Sequence, residues 1–168
     1  PEVEAELRTT ICHVYYELHD LPAAEGMARD ALRLRKEALG ETNELVAASL
    51  SDLAGILGER GDRAEAEARP REALAIRQSI FGNDHTEVAQ SLYRLGAVVE
   101  GLGRLADAEN LYRSALAIQR KHFGNEHPET LDSLNHVART LKRRDRLVEA
   151  EKLEREALNS ARKLGKEH

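Results

Sequence analysis

Seven histidines and one cysteine are the side chains in this sequence best suited to proton transfer, metal binding or nucleophilic attack. They are His13, His19, His85, His122, His127, His136, His168 and Cys12. A metal site needs two donors at a spacing that turns both to one point, as in HxxxH or CxxC; neither pattern occurs. His85 and His127 stand in the matching stretches FGNDH and FGNEHP. They recur because a loop recurs, with Pro128 placed to open a helix. A phosphate-binding loop would follow a strand, whereas the glycines of GLGR at 101–104 read as a turn between helices. Cys12 falls where another copy of the sequence carries Gly96, so it reads as a small packed residue. No catalytic residue, no cofactor and no metal are expected, and the chain is not read as an enzyme.

A second chemical pattern is electrostatic. Glu25–Arg29, Glu67–Arg71, Glu109–Arg113 and Glu151–Arg155 are acid-first i, i+4 pairs. Each contributes only about 0.2–0.5 kcal/mol to a helix. They are expected to lie on solvated helix faces.

What positions all these residues is a repeat. Val46–Glu87 and Val88–Glu129 align without a gap and share 19 of 42 residues. Ala31, Ala73, Ala115 and Ala157 keep the same step of 42, as do Ala24, Ala66, Ala108 and Ala150. Such a period marks stacked supersecondary units. Four copies are delimited, about 4–45, 46–87, 88–129 and 130–168, and read as one domain spanning 1–168. Within a copy, Leu92, Leu95, Gly96 and Val99 lie on one helical face, as do Leu105, Ala108, Leu111, Tyr112, Ala115 and Leu116. Gly101 and Gly103 separate the two sets. Gly124 closes the second, where a left-handed cap residue is expected. The spacing predicts helices near 4–18, 22–39, 44–59, 63–80, 86–101, 105–122, 128–143 and 147–164, with no strand. The paired alanines let helices approach closely, and neither stripe can be buried without stacking.

Composition agrees with this. Hydrophobic residues are 41% and aromatics 4%, so the core is aliphatic. No apolar run reaches the ~20 residues of a membrane span, and no secretory leader is visible. A lone cysteine excludes an internal disulfide and fits a reducing compartment, so a cytoplasmic location is expected. The chain opens at Pro1 without a methionine, a start compatible with an excised fragment. Net charge is −5: −8 over residues 1–129 (15 basic, 23 acidic) and +3 over 130–168 (10 basic, 7 acidic). This argues against a nucleic-acid binder, which would be basic along a face; no membrane partner is expected either.

The small residues Gly96, Ala108 and Ala115, with Leu95 and Tyr112 among them, resemble the tetratricopeptide repeat. The longer period and the stretches ALAIRQSIFGNDH and ALAIQRKHFGNEHP resemble the repeats of kinesin light chains. The resemblance covers nearly the whole chain. It implies an all-α, right-handed superhelical solenoid of about four helix-turn-helix repeats. It also implies a non-catalytic scaffold that binds a protein or peptide segment in a concave groove lined by the first helix of each pair. Carried across, the groove residues are Thr9, His13, Tyr16 and Ser51 from the first two copies. The third gives Tyr93 and Arg94, and the fourth Asn135, Arg139, Lys142 and Arg143. Asn135 sits where related repeats hold a peptide backbone, and Arg94 and Arg139 could fork onto a carboxylate. The charge split then favours an acidic peptide near the C-terminal copies. Two alternatives stand beside this reading: a sensory or regulatory module of a larger multidomain signalling protein, and a self-assembly module.

Two copies depart from the pattern. Arg8 replaces the leucine of the later copies, which makes the first copy degenerate or an exposed end. Pro70 replaces the residue that is Tyr112 one period on. Its ring is expected to clash with the carbonyl of Ala66, so that the helix kinks or starts late, near Arg69. Pro70→Leu or Pro70→Tyr is expected to raise the melting temperature. Gly55 and Gly58 either open room on a groove surface or mark a flexible second copy, since each costs about 1 kcal/mol in a helix.

Overall fold

The structure, a computed structural model, describes residues 1–164, with the side chain of the last of these undescribed. His168 therefore lies outside the described residues. Every regular element among them is a helix: α1 (Glu2–Glu17), α2 (Leu21–Leu39), α3 (Glu44–Arg60), α4 (Arg63–Phe81), α5 (Thr86–Gly101), α6 (Leu105–Phe123), α7 (Pro128–Arg143) and α8 (Leu147–Leu164). The chain forms two compact units, Pro1–Gly82 and Asn83 onward. In the first, α1 to α4 pack each on the next; in the second, α5 to α8 do the same.

Local signals account for the helix ends. Asp20, Asn43 and Asp62 are N-caps whose side chains accept from Ala23, Leu45 and Glu65, supplying partners that the helix itself lacks. His85 and His127 do the same work for α5 and α7. Their Nδ1 atoms accept from the backbone N–H of Glu87 and Glu129, at 3.2 and 3.3 Å. The recurrence of these histidines thus has a local structural cause. Gly124 ends α6 with φ 83° and ψ −179°. This is not the expected left-handed cap; it is an extended, positive-φ conformation that only glycine enters readily.

The period is visible in the packing. Ala24, Ala66, Ala108 and Ala150 are buried, as are Ala31, Ala73, Ala115 and Ala157. Leu50, Leu53 and Leu57 fill the first unit; Leu95, Leu134 and Leu141 fill the second. Tyr112 is fully buried against Gly96. A Cβ added at Gly96 would stand 2.9 Å from the Tyr112 ring. One period earlier the corresponding two places hold Ala54 and Pro70, a larger residue in the glycine's place and a smaller ring in the tyrosine's. Pro70 itself is buried, and α4 runs from Arg63 to Phe81 through it. The expected late start near Arg69 is overturned, because Asp62 already caps the helix at Arg63. Inside that helix the proline has no N–H to offer the carbonyl of Ala66.

Candidate functional site

The residues of interest on α5 and α7 come together in the second unit around Glu100, at the C-terminal end of α5. Its side chain is 7% exposed. Arg139 Nη2 and Arg143 Nη1 from α7 donate to its carboxylate, each at 2.8 Å, and the Tyr112 hydroxyl from α6 donates at 2.9 Å. Burial opposes the charge, but these three donors prevail and hold the Glu100 carboxyl at about 2. Burial and the same hydrogen bond push the Tyr112 phenol up. Arg139 Nη2 also meets His136 Nδ1 at 2.8 Å. A guanidinium can only donate, so His136 accepts at Nδ1, carries its proton on Nε2, and gives it to the Tyr93 hydroxyl, 2.8 Å away. Burial, then Arg139, lower the pKa of His136, which keeps the ring neutral. The rings of Tyr93, Tyr112 and His136 lie 4.9–5.5 Å apart in tilted or edge-on contacts.

The expected ligand-binding cations are thus largely engaged by the chain itself. Arg139 and Arg143 share Glu100, and Lys142 pairs with Glu154 at 2.5 Å. Arg94 differs: it is exposed on α5 and has no ion pair among the described residues. Asn135 is exposed on α7. Arg94 borders a cavity of about 300 Å³ lined also by Gln90, Tyr93, Gln119, Glu129 and Asp132. Burial and the carboxylate of Asp132 push the Tyr93 hydroxyl up.

In the first unit the named residues do not converge. Thr9 and Ser51 turn their hydroxyls onto their own helices, to the carbonyls of Ala5 and Ala47 at 2.9 and 3.0 Å. Tyr16 reaches from α1 to the carboxylate of Glu59 on α3, which pushes its pKa up. His13 is exposed. A Cβ at Gly55 or Gly58 would meet nothing within 4 Å, so these glycines leave open space.

The i, i+4 pairs are formed, yet the solvated-face reading of them needs correction. Glu109 is 4% exposed and receives Arg113 at 2.8 Å, Arg146 at 3.0 Å, and Arg144 from the C-cap of α7. Glu25 meets Arg29 and also Arg60, the last residue of α3. These acids tie the second helix of one copy to the first helix of the next. Only the outermost, Glu151, is well exposed. Among the described residues no group of three His, Cys, Asp or Glu side chains could hold a metal. Among the described residues no helix is long and apolar enough to cross a membrane.

Comparison with known proteins agrees with this architecture. A family model described as tetratricopeptide repeat matches residues 4–79, 64–121 and 87–163. BtubC (BKLC) from P. vanneervenii is 21% identical, with a TM-score of 0.88 over 96% of this chain and 64% of its own. A kinesin light chain from Podosopora anserina with nearly identical TPR-like repeats is 21% identical, at 0.81 over 95% of this chain and 75% of its own. A Rap protein complexed with Competence and Sporulation Factor is 17% identical, at 0.79 over 96% of this chain and 43% of its own. The chain therefore spans less than two thirds of the BtubC and Rap chains, and the likeness is one of fold. No curated protein matches the sequence.

Proposed function

The chain belongs to the tetratricopeptide repeat family, and on that premise we propose that it is a non-catalytic interaction scaffold which holds a peptide segment of a protein partner against α5 and α7. The observation that carries this is Arg94: an exposed guanidinium with no ion pair among the described residues, beside a cavity and on the same unit as the exposed amide of Asn135. Arg94 offers a planar pair of donors to one carboxylate of the partner, and Asn135 offers an amide to its backbone. The acidity expected of the partner narrows accordingly. Three of the four cations proposed to attract it are paired within the chain, so one carboxylate opposite Arg94 is favoured over a run of acids. The Rap neighbour, solved with Competence and Sporulation Factor, supports the general reading that this fold can receive a ligand. The test is selection of peptides from a displayed library, followed by calorimetry of a selected peptide at low and high salt. Arg94→Ala/Asn135→Ala should weaken binding roughly tenfold or more, the loss of one charge-assisted contact. Wild-type affinity should fall with salt, because exposed charges are screened over about 8–10 Å. Equal affinity of both proteins with no salt dependence would refute the proposal.

A further inference from the structure

One position near the end of the second helix reads Arg35, Arg77 and Gln119 in successive copies. In the first unit Arg35 is buried, and its guanidinium donates to Ser49 Oγ on α3. In the second unit Gln119 and Ser133 take the corresponding places on α6 and α7. Both are buried, Gln119 to 3% exposure, yet neither Gln119 Oε1 nor Ser133 Oγ has a hydrogen-bond partner among the described residues. Buried polar atoms are nearly always satisfied, so an orphan acceptor signals a missing donor. Gln119 lines the cavity of about 300 Å³ described above, a volume at the lower end for ligand sites. At its edge stand the carboxylates of Glu129 and Asp132, exposed and without an ion pair among the described residues.

We propose that this cavity is a subsite for an arginine side chain of the bound partner, placed where the corresponding copy of the first unit uses an arginine of its own. The inference rests on the peptide-binding reading above and names the side chain it selects. A guanidinium brings five donors and no acceptor. That matches an orphan amide oxygen and two unpaired carboxylates, and the charges are complementary. Arg94 on the rim repels a second cation and turns towards the neighbouring carboxylate of the same peptide. The recognised feature is thus a guanidinium next to an acid.

The experiment uses the 168-residue chain and two probes. The first is Nα-acetyl-arginine methylamide, with its neutral citrulline analogue as control, titrated while the side-chain amide signals of Gln119 are followed by NMR. The arginine probe should shift the Gln119 signals saturably and the citrulline probe should not. The same titration should shift the backbone amides of the cavity residues Gln90 and Tyr93 in wild type; Gln119→Arg should fill the cavity from within and abolish those shifts while the circular dichroism of the folded chain is kept. Glu129→Gln/Asp132→Asn should weaken it roughly tenfold. The second probe is the displayed peptide library. Enrichment of arginine beside an acid, lost in Gln119→Arg, supports the subsite. Enrichment of lysine instead, or selected peptides that bind Gln119→Arg as tightly as wild type, overturns the subsite and leaves the scaffold reading standing. A library that yields no binder overturns the scaffold reading; the arginine titration then decides the cavity alone, and an unperturbed Gln119 overturns it.

Discussion

Replacing Glu100 by Gln keeps the shape of the side chain and removes its charge. The carboxyl falls from 4.5 to about 2 in the folded chain. At roughly 1.4 kcal/mol per pH unit that corresponds to about 3 kcal/mol of stability at neutral pH. The side chain is 7% exposed, so solvent screening takes little from this figure. Removing one partner of a buried ion pair costs about 3–5 kcal/mol. The low end applies, because Arg139 and Arg143 are half exposed and can turn to water. The folded-state pKa is depressed, so the contribution is complete above about 4.5 and is lost as pH falls towards 2. The same linkage leaves less than half of it at pH 3. Urea unfolding of wild type and Glu100→Gln should therefore show a gap of about 3 kcal/mol at pH 7 and pH 5, and about half that or less at pH 3. In a thermal scan the neutral-pH gap amounts to about 10 °C for a chain of this size. The difference between the two proteins isolates Glu100 from the other carboxylates, which titrate in both. A gap below about 1 kcal/mol at pH 7, or one unchanged between pH 7 and pH 3, would refute the assignment of Glu100 as the charge that fixes α7 to α5.

Two further outcomes follow from the paired sites on the first and second helices. Gly96→Ala should destabilise by about 1–3 kcal/mol through overpacking against the buried Tyr112 ring, whereas Gly55→Ala, where a Cβ meets nothing within 4 Å, should gain about 1 kcal/mol of helix propensity; chemical denaturation of the two variants checks the opposite signs. Pro70→Leu should raise the melting temperature by restoring a backbone donor to Ala66, but Pro70→Tyr should do so only together with Ala54→Gly, a coupling that a double-mutant cycle measures directly.

The helices and the repeat were legible because one requirement, close helix approach, selects one residue type: the alanines at steps of 42 are all buried. What was hidden lies in pairings between copies. Glu109 looks like half of an ordinary surface pair until Arg144 and Arg146 arrive from elements 35 and 37 residues away. Arg139 and Arg143 look free for a ligand until α5 brings Glu100 to them. Nothing in local spacing announces such contacts, since they depend on how one helix pair rests on the next. The Gln119 cavity is different: its signal was in the alignment, as a long cation shortened to an amide in one column. The late start expected at Pro70 failed because Asp62 already caps the helix at Arg63. The proline's cost was weighed along its own helix, while its place in the repeat corresponds to that of Tyr112, whose partner Gly96 is matched by Ala54 on another helix.

That last pairing limits how such a chain can be rebuilt. Glycine with tyrosine, or alanine with proline, is a matched set distributed over two helices of one copy. A recombination event with its crossover between those helices would join Gly96 to a proline and leave a void, or join Ala54 to a tyrosine and force a clash. A crossover in the loops after Gly82 or Gly124 keeps each set intact. The heritable module is therefore the whole 42-residue copy, and a library of shuffled arrays should yield folded members from junctions at those loops and few from junctions within a copy.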